Sequence, residues 1–288
     1  MLRTLDPSML GLSQPIRELA PWAARYGFQA VSAPQEVLRD KNAAREAAAV
    51  MADCGLSWGL MPMPADFYHW ELDDAAFEKA LETLRRDACA ARVLGVTHAY
   101  NHVWPCSPRE FEENFSWVVK RIRAVNRILR ENGIFYGLEF LGPQELRTLA
   151  EHEFIHSLSG ALALADAAGD GVGIAFDVFH WYCSQNGALD DVVLMERQLH
   201  RLVALHLSDA VPGREYRQQQ DMDRRLPGET GIIDAKTVLS RFRRHSCNPL
   251  YMAEPFEPWR TRLGNMTAED AVRTVSQALT GVEEAPLP

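Results

Sequence analysis

Residues 172–181 read Val-Gly-Ile-Ala-Phe-Asp-Val-Phe-His-Trp, and the alternation in this run decides the fold. Successive side chains of a strand point to opposite faces. Gly173, Ala175 and Asp177 therefore share one face, while Ile174, Phe176 and Val178 share the other. The first face is small and ends in a carboxylate; the second is bulky and apolar. Two neighbouring runs repeat this. In 134–141, Gly137 and Glu139 oppose Tyr136, Leu138 and Phe140; in 202–208, Ala204, His206 and Ser208 oppose Val203, Leu205 and Leu207. The run 250–256 carries Glu254 in Tyr-Met-Ala-Glu-Pro-Phe. The bulky sets are expected to pack against helices and the small sets to point into the mouth of a closed sheet.

Earlier in the chain, β-like runs at Thr4–Leu12, Phe28–Ala33, Leu56–Met61 and Thr97–Trp104 bring the total to eight. Helical patterns lie between the runs. Pro15–Tyr26, Glu36–Asp53, Asp73–Leu94, Pro108–Asn132 and Gln144–Ala168 each end at or near a glycine, the residue that best takes a left-handed helix cap. Shorter helices are expected at Leu189–His200, Ala235–His245 and Ala268–Leu279. Strand–helix alternation implies a parallel sheet with helices outside. Eight such units in 288 residues fit one (β/α)8 TIM barrel over residues 1–280, with Gly281–Pro288 as a flexible tail. An open doubly wound sheet competes, but no GxGxxG or GxxxxGK[ST] follows the first run.

Composition supports an ordinary globular domain: 47% hydrophobic and 24% charged residues. The net charge of −9 disfavours a long polyanion footprint, so nucleic acid is not an expected partner. No run of about 18 apolar residues predicts a membrane span. The N-terminus lacks a basic segment followed by an apolar core. Five cysteines, Cys54, Cys89, Cys106, Cys183 and Cys247, form no CxxC pair and read as reduced thiols, as in a cytoplasmic protein.

Glu139, Asp177, His206 and Glu254 fall near the ends of four successive strands, the end where barrel sites are built. Taken singly, a strand-end acid is often a helix cap or ion-pair partner, and a lone strand histidine is often a satisfied core residue. Taken together, three carboxylates gathered in one buried mouth would cost several kcal/mol each without a counter-charge. A divalent cation resolves that conflict. Three carboxylates and one imidazole suit Mn²⁺ or Mg²⁺, with Co²⁺ or Zn²⁺ also compatible; an oxygen-rich set without thiolates is not a structural zinc site.

With these motifs the chain resembles the xylose isomerase-like TIM-barrel superfamily, in its sugar phosphate isomerase/epimerase branch, over about residues 1–280. The resemblance is carried by Gly-Leu-Glu139-Phe, Phe-Asp177-Val-Phe-His180-Trp, Leu-His206-Leu-Ser-Asp209, Asp223-Arg224-Arg225-Leu-Pro-Gly228-Glu and Ala-Glu254-Pro-Phe. By similarity to ketose 3-epimerases it implies that Glu139, Asp177, His206 and Glu254 hold one divalent metal, Mn²⁺ first among candidates. It implies Glu139 and Glu254 as the acid/base pair, and His180 and Arg224 as substrate-binding residues. It also implies a homo-oligomer, a dimer or tetramer. The segment His206–Pro227 is longer than in those epimerases, and Phe-Leu-Gly142-Pro143 replaces a polar stretch after Glu139. The sugar is therefore not fixed by the resemblance.

The chemistry these residues allow is proton transfer next to a carbonyl, through a metal-stabilised enediolate. One carboxylate removes the proton and a second group returns it on the opposite face, a contribution of ~10²–10⁴-fold. The leading reading is a metal-dependent isomerase or epimerase of a ketose or keto-sugar. A lyase acting on a keto-sugar, of the inosose-dehydrating or C-glycoside-cleaving kind, is the alternative. An AP endonuclease-like repair enzyme is remote, since only His180 and His206 are placed for such a metal cluster and binding phosphate backbones needs clustered Lys/Arg. A non-catalytic sugar sensor conflicts with the intact ligand set. His102 and Trp104 end the fourth run, and Phe67-Tyr68-His69-Trp70 follow the third; His102 is the best-placed further contact for a sugar hydroxyl. Asp209 reads either as an orienting partner of His180 or Arg224 or as the start of a loop. Glu229 reads as a turn carboxylate, and Arg241, Arg243 and Arg244 as a solvated helix face.

Overall fold

The computed structural model describes residues 1–243 and 249–284. Eight parallel strands form one curled sheet: β1 Leu2–Leu5, β2 Ala30–Val31, β3 Ser57–Trp58, β4 His98–Val103, β5 Phe135–Phe140, β6 Val172–Asp177, β7 Leu202–Leu207 and β8 Leu250–Ala253. They are hydrogen-bonded in the order β3-β2-β1-β8-β7-β6-β5-β4. The outer strands of that order meet at a parallel bridge between Leu60 and His98, where the Met61 N–H donates to the His98 carbonyl at 2.8 Å. Helices cover the outside, so the chain is a (β/α)8 barrel.

The expected parity holds. Ala175 and Ala204 join Leu60, Leu250 and Met252 in a small cluster, set apart from the main core, that corresponds to the barrel interior. Tyr136, Leu138, Phe140, Ile174, Phe176, Leu205 and Leu207 belong instead to the large core shared with the helices. Small residues inside are required by crowding: a Cβ on Gly137 would lie 3.0 Å from the Ala175 nitrogen, and one on Gly173 2.3 Å from the Arg201 carbonyl.

Several boundaries differ from the sequence expectation, each for a local reason. The first strand ends at Leu5, because the Asp6 carboxylate accepts from the Ser8 and Met9 amides and turns the chain. The helix expected over Glu36–Asp53 is two, Gln35–Arg39 and Lys41–Asp53, broken where the Asp40 side chain accepts from the Asn42 and Ala43 amides, both at 2.8 Å. Gln144–Ala168 is also not one helix. Only Gln144–Arg147 and Leu158–Ala168 are helical, and His152–Glu153 between them pairs antiparallel with Cys106–Ser107. The last helix, Ala268–Glu284, runs through the first part of the expected tail, whose remainder at 285–288 lies outside the described residues. Arg244, His245 and Cys247 also lie outside them. The other four cysteines are free thiols. Among the described residues no helix is long and apolar enough to cross a membrane.

Candidate metal centre

Asp177 is the last residue of β6, Glu139 and His206 are the last but one of β5 and β7, and Glu254 follows the end of β8. All four side chains are buried, and each offers a ligand atom within 4.8 Å of the others. Parity explains the convergence: each stands on the inward face of its strand, and neighbouring strands are in register, with Asp177 opposite His206. The residues that the sequence singled out are thus brought together.

Hydrogen bonds inside the cluster are dense. His206 Nδ1 lies 2.7 Å from Glu139 Oε1 and 3.6 Å from Glu254 Oε2. His102 Nε2 lies 3.1 Å from Glu139 Oε2. Arg224 Nη1 donates to Asp177 Oδ2 at 2.7 Å and to Glu254 Oε2 at 2.8 Å, while Nη2 reaches Asp221 Oδ1 at 2.5 Å. The guanidinium lies between Phe179 and Phe256, 4.6 Å from each ring centroid, which sets its position. His180 is buried beside it, with Nε2 3.2 Å from Arg224 Nη2 and Nδ1 facing the Gly142 amide at 3.3 Å. A Cβ on Gly142 would sit 2.0 Å from the His180 carbonyl oxygen, so only glycine allows the loop after β5 to close on His180.

Asp177 does two things at once. Its Oδ1 accepts from the Phe179 amide at 2.7 Å and caps the helix Val178–Gln185, which sequence reading did not separate from the strand. Its Oδ2 faces the cluster. The cap uses one oxygen and leaves the other directed at the cluster.

Charge is unevenly held. Burial would raise the Glu139 pKa, but His206 and His102 outweigh it and hold Glu139 well below the usual carboxylate range. Burial likewise opposes ionisation of Asp177, and Arg224 and His180 overcome it. Glu254 differs: burial dominates and pushes it up to about 8. For His206, burial disfavours the charged ring, yet the Glu139 and Glu254 carboxylates raise it to about 10. Burial lowers the His180 pKa, keeping that ring neutral. Arg224 and protonated His206 thus serve as counter-charges that a divalent ion could take over.

The donor set fits such an ion. Three carboxylates and an imidazole converge, each offering a ligand atom within 4.8 Å of the others, and His206 presents its Nδ1 to the carboxylates. Buried carboxylates gathered this closely call for a counter-charge, and an oxygen-rich donor set with one imidazole suits a divalent cation. The cluster could therefore hold a metal ion.

The remaining candidates divide. Asp209 is not a partner of His180 or Arg224. Its carboxylate accepts from the amides of Ala210, Thr230, Gly231 and Ile233, tying together the loop that carries Arg224. Glu229 stays in its turn, accepting from the Leu226 amide and from Trp259. Arg241 pairs with Glu196 at 3.1 Å on the barrel's exterior. Trp104 bonds Asp66 at 2.5 Å and is T-shaped against His69 and Trp70 on the rim. Sequence reading missed Asp221, which holds Arg224 through its carboxylate and through its carbonyl at 2.8 Å, and has its own amide on Glu145 at 2.6 Å. The i,i+3 spacing to Arg224 was its one visible signal.

Fold and site together define a (β/α)8 barrel with a metal-capable cluster of acids and histidine at its strand ends. The chain belongs to the xylose isomerase-like TIM barrel family, whose model matches residues 20–279. Solved structures agree in fold. A xylose isomerase domain protein from Alicyclobacillus acidocaldarius superposes with a TM-score of 0.81 at 23% identity, covering 98% of both chains. An IolI protein with a bound zinc atom gives 0.79 at 16%, again over 98% of both. The D-psicose 3-epimerase of Clostridium cellulolyticum H10, solved with D-tagatose, gives 0.71 at 14% over 98% of both. No curated protein sequence matches the chain.

Proposed function

We propose that the protein is a metal-dependent isomerase or epimerase of a ketose or keto-sugar. In this reading Glu139, Asp177, His206 and Glu254 hold one divalent ion, Mn²⁺ before Mg²⁺, Co²⁺ or Zn²⁺. Oxygen-rich sites favour the harder cations, although the zinc in the IolI structure keeps Zn²⁺ in the comparison. When bound, the ion supplies positive charge next to two adjacent substrate oxygens and so acidifies the C–H between them. The observation that carries the proposal is the convergence of the four buried groups on one point of the barrel mouth.

The chain's own residues do the rest. Glu139 and Glu254 enter from the fifth and eighth staves and meet the two faces of a substrate lying between them. Glu139, held ionised by His206 and His102, takes the proton. Glu254, whose affinity for a proton is raised by burial, returns it; environments that push two carboxylates apart in this way assign acid and base. Neutral His180 and charged Arg224 bind substrate oxygens, with Asp221 fixing the guanidinium. His102 touches Glu139 and lines the approach to it, so it orients the base and meets the sugar. The assembly is proposed to be a dimer or tetramer of the cytoplasm, acting on a small sugar or polyol-like molecule.

Incubation of the Mn²⁺-loaded protein in D₂O with ketoses, 3-keto-glycosides and inososes tests this. Deuterium should enter at one carbon, and Glu254→Gln should slow entry by ~10²–10⁴-fold, the usual worth of an acid–base group. Full-rate exchange in that variant contradicts the assignment, and an unsaturated ketone product identifies a lyase instead.

A further inference from the structure

Asp6 directly follows β1, in the half of the barrel that holds none of the four clustered side chains, and is 6% exposed. Its Oδ1 accepts from the Ser8 amide at 3.0 Å, the Ser8 hydroxyl at 2.6 Å and the Met9 amide at 3.2 Å, which closes the turn after the strand. An asparagine oxygen closes such a turn equally well. The turn thus accounts for one oxygen of the carboxylate and not for the other. Among the described residues nothing bonds Oδ2. It is also not one of the interior polar atoms sealed away without a partner. Asp6 lines a cavity of about 580 Å³ between the loops after β1, β2 and β3, so the unused oxygen opens onto that space. A nearly buried acceptor left free in this way calls for a donor from a ligand or water.

Tyr100 lines the same cavity from β4. Its ring stands edge to face against His206, centroids 4.9 Å apart, and against His102 at 5.6 Å. It also packs on the interior cluster that contains Leu60, Ala175 and Met252. Packing holds the ring, and a phenylalanine ring would pack as well. The hydroxyl is what tyrosine adds, and buried tyrosine hydroxyls normally have a partner. Among the described residues nothing bonds this one. The cavity walls carry the carboxylates of Asp6, Glu36 and Asp66 and no lysine or arginine. They suit an uncharged hydroxyl and oppose an anionic group.

We infer that Asp6 Oδ2 and the Tyr100 hydroxyl form a substrate-binding pair for neutral hydroxyl groups of the molecule whose reacting carbons lie at the acidic cluster. A ligand hydroxyl donates to Asp6, and it or its neighbour accepts from Tyr100. Neither residue exchanges a proton with the reacting carbon. The inference rests on the function proposed above and adds two residues to its substrate site.

Calorimetry on the Mn²⁺-loaded protein with D-fructose, scyllo-inosose and methyl 3-oxo-β-D-glucopyranoside tests it. For the tightest of these probes, Asp6→Asn should weaken binding roughly 10- to 100-fold, as for a hydrogen bond to a charged group, and Tyr100→Phe roughly 2- to 10-fold. Mn²⁺ affinity should stay within about twofold in both variants. Monodeoxy analogues of that probe separate contact from structure: one of them should bind the native protein roughly 10-fold more weakly than its parent, yet bind Asp6→Asn as well as the parent does. In Mg²⁺-loaded protein labelled at the tyrosine Cζ, the probe should also shift the Tyr100 resonance, a readout that needs no variant. Unchanged affinity in either variant, the absence of any such analogue, or an unshifted Tyr100 overturns the pair; if deuterium exchange persists in that case, the proton-transfer reading survives. Binding that depends on both residues without exchange at any carbon keeps the pair and overturns the reaction. Failure of all three probes to bind overturns both.

Discussion

The two halves of the barrel are built differently. In the half from β5 to β8, three strands of six residues are hydrogen-bonded side by side, and an ionisable side chain stands within one residue of the end of each of the four. In the half from β1 to β4, β2 and β3 are two residues long, and their loops enclose an open, methionine-lined space. Long regular strands fix groups to within fractions of an ångström, as chemistry demands. Short strands followed by long loops leave room for a ligand to be chosen. The two halves meet at His102 and Glu139, and the proposed proton transfer belongs to the β5–β8 half.

The comparison breaks first at Asp177, where one side chain serves both fold and site. Asp177→Ala removes a proposed ligand, removes the cap on Val178–Gln185, and leaves the Arg224 guanidinium with one fewer buried partner. Loss of one member of a buried ion pair costs ~3–5 kcal/mol. Chemical denaturation should show a loss of that order, and stoichiometric metal binding should disappear. A variant that still binds one ion tightly removes Asp177 from the ligand set.

The same half should respond to pH. In metal-free protein Glu254 is raised to about 8 by burial, from 4.5, so folding becomes less favourable as pH climbs between those values. His206 is raised to about 10 because Glu139 and Glu254 outweigh its burial, and its contribution to stability is complete below 6.5 and lost as pH rises through 10. Both effects weaken the metal-free protein as pH rises. An ion displaces protons from both groups, roughly one to two per ion near pH 7. The melting-temperature gap between loaded and metal-free protein should therefore widen from pH 6 to pH 9. A gap that is constant or narrows contradicts the assignment of these groups as ligands.

The smallest effect sharpens the contrast from the other side. Asp40→Ala removes a helix cap on the half that carries none of the four clustered side chains. It should lower the denaturation midpoint slightly, through loss of the cap alone, and leave metal affinity unchanged. A change in metal affinity there would show that the two halves are not separable.

Much of this was legible in the sequence because strand parity is strict. A residue two places from Ala175 must share its face, so Asp177 had to point inward, and the same held for Glu139 and His206. What was not legible depended on contacts distant in sequence or on single side chains competing with a helix. Asp40 and Ser157 each start a helix by capping it, which a helical periodicity spanning them hides. His152–Glu153 is extended only because Cys106–Ser107 lies beside it. Asp221 sits in a loop rich in Gln, Arg and Asp, where no period ranks one carboxylate above another; its position follows from the four amides that Asp209 gathers to shape that loop.

The proposed function requires one divalent ion at the point where Glu139, Asp177, His206 and Glu254 converge. A Mn²⁺-soaked crystal, with anomalous data collected on either side of the manganese edge, tests it most directly. One anomalous peak is expected at ~2.0–2.3 Å from an oxygen or nitrogen of all four residues, with Arg224 Nη1 withdrawn from at least one of its two carboxylates. A density map without that peak, in which Arg224 still bridges Asp177 and Glu254 at saturating Mn²⁺, contradicts it.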